Sequence, residues 1–137
     1  MEQNVLTAIK SGLFVIEKCL RDILQETKPP SEPRKWLLKV RHSDISDDVA
    51  TKLAVKAEEM LKEIQELQRI FDIRRDEESA RWHTIRNLGE IWTILNDLSP
   101  DRLRGYGQMK TEESKLLTVY LRKMNAMRDD MERMLSK

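Results

Sequence analysis

Residues 46–98 read SDDVATKLAVKAEEMLKEIQELQRIFDIRRDEESARWHTIRNLGEIWTILNDL, and the segments on either side are sized to pack against it. At helical spacing it presents Val49, Leu53, Ala57, Met60, Ile64, Leu67 and Phe71, then, after a polar gap, Ile85, Leu88, Trp92 and Leu95. Steps of three and four hold each set on one helix face. Between them, residues 74–81 (RRDEESAR) hold nothing that a core would want. The span contains no Pro and a single Gly, Gly89. It therefore reads either as one helix of about 80 Å, at 1.5 Å per residue, or as two helices hinged within residues 72–81. A helical turn that is polar all round bridges packed regions and does not lie inside one.

Working outward from this stretch, Ser46 is a strong N-cap, with Asp47 and Asp48 placed to complement the positive end of the helix dipole. Upstream, the spacing predicts a helix from Gln3 to about Thr27, with Ile9, Leu13, Ile16, Leu20 and Ile23 as its seam, widened by Leu6, Phe14 and Leu24. Gly12 within it reads as the mark of a close helix crossing. Pro29 and Pro30 stop that helix. A short helix is expected next, N-capped by Ser31 and ending near Arg41, which turns Trp36, Leu37 and Val40 toward a core. Downstream, Ser99 and Pro100 end the central stretch, and Gly105-Tyr106-Gly107 is a loop. A last helix, capped by Thr111, carries Leu117, Tyr120, Met124, Met127, Met131 and Met134 at steps of three and four. No segment shows the alternation of a strand. The expectation is an all-α, elongated helical bundle of four to six helices on a long central helix. It would form one domain, 1–137, with sub-clusters at 1–71 and 85–137.

Composition agrees with long solvated helices: 36% of the 137 residues are charged, while Gly and Pro number four each. Lys plus Arg (25) nearly balances Asp plus Glu (24), so overall charge gives no pull toward a polyanion, and any nucleic-acid site must be a local patch. Cys19 is the only cysteine and falls on the apolar face of the first helix. An intramolecular disulfide is thus excluded and a reducing compartment is the simpler expectation, with the thiol buried. No apolar run approaches 18 residues, and no basic region precedes the first apolar segment. The chain is accordingly expected to be intracellular, cytoplasmic or nuclear, without a membrane partner.

Residues for catalysis are scarce. His42 and His83 are the only histidines, and neither has a Cys, Asp, Glu or His at a spacing that recurs in metal sites. Phosphate-cradling Gly loops and nucleophile elbows are absent. The acidic pairs, Asp47/Asp48, Glu58/Glu59 and Asp129/Asp130 among them, lie off the apolar stripes and read as solvated faces. No catalytic, metal-binding or cofactor-binding residue is expected, and no small-molecule substrate.

Two features suit binding. Tyr120, Met124, Met127, Met131 and Met134 form a flexible, polarizable stripe that fits either a core or a surface receiving another helix. Arg34, Lys35, Trp36, Lys39 and Arg41 gather cations around an aromatic ring, as a nucleic-acid surface would need, though the favoured reading is a core Trp36 with the cations on the wet side of a short helix. The run Leu37-Leu38-Lys39-Val40-Arg41-His42, followed by a capped helix with Val49, Leu53 and Ala57, resembles the N-terminal helical docking domain of transcription elongation factor S-II within residues 10–67. The Gly-containing turn that precedes the Leu-Arg run in that family is missing here. The resemblance implies a nuclear module that reads short motifs in disordered partners. The main expectation is a non-catalytic protein–protein interaction module, adaptor or structural subunit, whose apolar helix seams meet another protein or a second copy. A nucleic-acid-associated or transcription-related docking domain using the Trp36 segment is the less favoured alternative.

Overall fold

A computed structural model of the chain describes residues 1–28 and 33–136. In order these form α1 (Gln3–Glu26), β1 (Arg34–Lys35), β2 (Val40–Arg41), α2 (Asp47–Ile70), α3 (Ala80–Asp97), α4 (Pro100–Leu103), a 3-10 turn (Arg104–Tyr106) and α5 (Thr111–Leu135). The architecture is all-α apart from the small hairpin. The chain divides into two compact units, Met1–Arg75 and Asp76–Lys137.

The central stretch is two helices. Ser46 caps α2 as its sequence demands, its hydroxyl accepting from the Val49 N–H at 3.3 Å above Asp47 and Asp48. At the other end Phe71 closes the helix and Asp72 turns left-handed, with φ 51°. The Asp72 N–H then donates to the Arg69 carbonyl at 3.3 Å and the Ile73 N–H to the Gln68 carbonyl at 2.9 Å. This pair of bonds is a Schellman stop built on Asp instead of Gly, a residue whose short side chain tolerates that conformation. The polar gap is therefore a non-helical connector, and Ser79 restarts the chain by accepting from the Trp82 N–H at 3.3 Å.

In the first unit α1 packs on α2. Leu20 is buried, flanked on its face by half-buried Leu6, Ile9, Leu13 and Leu24, while Ile16 and Ile23 of the expected seam are exposed. On α2 the packed face holds Ala50, Ala54, Ala57, Leu61 and Ile64, of which Ala57 is buried. Most of it lies one residue, about 100° of helix, from the expected stripe. Val49, Leu53, Met60, Leu67 and Phe71 stay outside. Small side chains at 50, 54 and 57 admit the leucines of α1 more closely than the larger stripe would. Two expectations on α1 need correction. Cys19 is exposed, not buried, and a methyl group on Gly12 would meet nothing within 4 Å, so that glycine marks no crossing.

The expected short helix around Trp36 is instead an antiparallel hairpin. Arg34 pairs with Arg41 and Lys35 with Val40, and the Trp36 N–H donates to the Lys39 carbonyl at 2.8 Å across a Leu37-Leu38 turn. The expected cap Ser31 lies outside the described residues. A physical reason for the hairpin is at hand. Both Arg34 and Arg41 reach the Glu26 carboxylate, whereas seven residues apart on a helix they would stand about 10 Å from each other along its axis. Two arginines directly opposite on one face repel, and Glu26 offsets that repulsion.

In the second unit α3 packs on α5, and α4 touches both. Leu88, Leu95 and Leu121 are buried, with Ile85, Leu103, Leu117 and Leu135 half-buried around them; Trp92 of the expected stripe is exposed. Gly107 adopts φ 144°, a conformation that only glycine takes without strain. Lys110, not Thr111, is the cap residue of α5, and the Glu113 carboxylate reaches back to accept from the Lys110 N–H at 3.0 Å. Among the described residues no helix is long and apolar enough to cross a membrane.

Candidate interaction surfaces

The α5 helix is set on α3 by a mixed face. Leu117, Leu121 and Leu135 share it with Ser114, Thr118, Asn125 and Arg128. The Arg128 side chain is 11% exposed and donates to the Leu88 carbonyl at 3.4 Å and to Asp129 and Glu132 at 2.8 Å each. Burial works against its charge, but the two carboxylates more than offset that and raise its pKa. Arg128 Nε and Asn125 Oδ1 are buried without a hydrogen-bond partner among the described residues. Burial of such groups costs about 1–3 kcal/mol each. Turned about 100° away, Tyr120, Met124, Met127, Met131 and Met134 line a continuous strip that is between 43% and 70% exposed, extended by Leu116. The stripe read from sequence as the helix seam is thus a surface in this chain. Leu117 alone of that seam is turned toward α3.

The same arrangement recurs in the other helices. Phe14, Val15, Ile16 and Ile23 on α1, Val49, Leu53, Met60 and Phe71 on α2, and Trp82, Ile91 and Trp92 on α3 are all exposed. The total accessible surface is 11989 Å². Two compact domains of about half this mass would together expose only about 9,000 Å² without touching one another. About 3,000 Å² is therefore in excess, several times the roughly 800 Å² that each partner contributes to a standard interface.

The basic segment is arranged differently from either sequence reading. Arg34 and Arg41 stand over the Trp36 ring, 4.9 and 5.1 Å from its centroid, while both bind Glu26. The hydrogen bond from Arg41, and after it that from Arg34, holds the Glu26 carboxyl below the usual carboxylate range. Two of the four cations of this segment thus share one carboxylate, and their guanidiniums occupy the ring that base stacking would need. Lys35 and Lys39 have no ion-pair partner among the described residues. Glu26 and Arg128 were invisible as partners in sequence, because their roles depend on contacts eight to forty residues away.

Among the described residues no three His, Cys, Asp or Glu side chains converge as metal ligands. His83 sits 3.7 Å from Glu78 on the surface, where Glu78 also binds Arg86. Depressions beside Lys62, Glu66, Arg69 and Ile73, and beside Asp129, Glu132 and Arg133, are open and lined by paired charges. The acidic runs are solvated faces with local partners, such as Asp48 with Lys52 and Glu59 with Lys56. The residues that carry the resemblance to the elongation-factor docking domain, 37–42, form the hairpin and not a helix. The chain matches no family model, no curated protein and no solved structure.

Proposed function

We propose that the chain is a non-catalytic helical protein–protein interaction module, an adaptor or structural subunit of an intracellular assembly, which binds through the outward face of α5. One observation carries this reading. The α5 helix lies on α3 through a face containing Asn125 and Arg128, and leaves Tyr120, Met124, Met127, Met131 and Met134 outside. A helix that had only its own chain to pack against would bury its most apolar strip, since each buried apolar side chain contributes about 1.5–3 kcal/mol. Methionine suits this role, because its flexible thioether conforms to a facing helix. An amphipathic helix laid along the strip would meet anchors at positions stepping by three and four.

Light scattering on the purified chain over a tenfold concentration range tests the proposal. A mass of twice 16.2 kDa makes a second copy the occupant; a monomer directs the search to a binder in cell extract. In either case Met127→Glu with Met131→Glu abolishes the association and leaves helicity unchanged. Loss of helicity in that variant would show the strip to be core and overturn the reading, as would a monomer that captures nothing through it.

A further inference from the structure

The tip of the hairpin is the most exposed apolar point among the described residues: Leu37 is 102% and Leu38 99% exposed. Neither side chain serves a core, and neither serves the turn. Two-residue hairpin loops favour Asn-Gly or Gly-containing pairs with positive φ, and no residue of this turn has positive φ. A turn without positive φ admits leucine without strain but does not call for it, and two fully exposed leucines that bring no gain in folding are where a functional demand is to be sought.

The surroundings of the tip specify what it meets. Lys35 and Lys39 flank it without ion-pair partners among the described residues, and no acidic residue occurs from 33 to 43. Trp36, half-exposed, lies directly below. Behind it Glu26 ties Arg34 and Arg41, so the hairpin is braced against the end of α1. The result is a convex apolar point with an aromatic ring and a collar of cations. A concave protein pocket would have to match that shape, whereas a bilayer surface with anionic headgroups accepts it directly. Leucines enter the headgroup and acyl boundary, lysines remain at phosphate level, and the indole ring takes the interface.

We infer that the Leu37-Leu38 hairpin is a peripheral docking element for an anionic lipid surface. It spans nothing, and it was hidden from the sequence because the segment reads as a helix. Binding should be reversible and on the order of 10⁴ M⁻¹, similar to a single myristoyl chain. Each free lysine should contribute about fivefold.

The test uses the full chain with Trp82 and Trp92 changed to Phe, so that Trp36 alone reports. Phosphatidylcholine vesicles with 30% phosphatidylserine, at about 1 mM accessible lipid, should co-sediment most of the protein and shift Trp36 emission to the blue. Pure phosphatidylcholine should retain little. Leu37→Ser with Leu38→Ser should lower binding at least tenfold with unchanged helicity, since neither side chain contributes to packing. Lys35→Glu with Lys39→Glu should lower it by more than tenfold. The inference is overturned if vesicles containing phosphatidylserine retain no protein, or if the leucine variant binds them as well as the parent. It is equally overturned if that variant loses self-association, or capture of a protein, while the parent ignores lipid; the tip would then belong to a second copy or to a protein groove.

Discussion

The rotational setting of α5 on α3 is tested by truncating one residue on each of its two adjacent faces. Leu121 is 9% exposed and one of three buried leucines in its unit, whereas Met127 is 60% exposed. Leu121→Ala removes three carbons from a site with few neighbours able to close in, and such truncations cost about 2–5 kcal/mol. The unit Asp76–Lys137, at roughly 0.1 kcal/mol per residue, is stable by on the order of 5 kcal/mol, so this change takes most of what it has. Met127→Ala leaves that packing untouched and should alter folding by no more than about 0.5 kcal/mol. Urea unfolding in a Trp36→Phe background, followed by the emission of Trp82 and Trp92, reads α3 and its packing on α5. With a slope near 1 kcal/mol per M, Leu121→Ala should lower the midpoint by about 2–5 M and Met127→Ala by about 0.5 M or less at the lowest usable concentration. At high concentration the parent should gain stability by mass action that Met127→Ala lacks. A Met127→Ala loss equal to that of Leu121→Ala at low concentration would place the methionine face inside and remove the basis of the proposed function.

Three further outcomes are expected. Because Glu26 has its pKa lowered by Arg41 and Arg34, its contribution to the hairpin is full above the ordinary carboxylate range and is lost as pH falls through the lowered value; Trp36 emission in the Trp82→Phe, Trp92→Phe chain should shift to the red only below that range, and Glu26→Gln should show the shifted emission at neutral pH. Asp72→Val, which forces a β-branched residue into φ 51°, should destabilise the Met1–Arg75 unit by about 1–2 kcal/mol in thermal unfolding, whereas Asp72→Gly should not. Arg128→Leu should leave the Asp76–Lys137 unit about as stable, since Asp129 and Glu132 are half-exposed and keep their water when the mostly buried cation is removed, yet should weaken association through the methionine face.

Helix positions were legible because they depend on local signals. Ser46 with Asp47 and Asp48 announces a start, and the steps of three and four in α1, α2, α3 and α5 announce apolar faces. What was not legible depended on contacts distant in sequence. The stop after Phe71 carries no Gly, and an Asp in left-handed conformation looks like any Asp until its neighbours' N–H groups are placed. Trp36, Leu37 and Val40 give two or three apolar positions within six residues, too few to separate a turn of helix from a short hairpin. The decision fell to Glu26, eight and fifteen residues from the two arginines it joins.

The shifted faces of α2 and α5 follow from one property of periodicity. A stripe that repeats every three or four residues fixes which side of a helix is apolar, but a helix with a wide apolar arc can present either flank of it. On α2 the flank chosen is the alanine side, and on α5 it is the side with Arg128. For α2, close approach explains the choice. For α5 packing is only part of the reason, because the face that holds Leu117, Leu121 and Leu135 also buries Asn125 Oδ1 and Arg128 Nε without a partner among the described residues. Arg128 does favour a register: its hydrogen bond to the Leu88 carbonyl needs this rotation of α5, while its bonds to Asp129 and Glu132 lie within α5 and hold the guanidinium in place. Polar contacts of this kind specify an arrangement more than they stabilise it. An arrangement held at some cost, with the most apolar strip facing outward, is understandable if the strip has a use. Arg128 thus acts beside Leu117, Leu121 and Leu135: the leucines hold α5 on α3, and the bond to the Leu88 carbonyl favours the rotation that leaves the methionines outside.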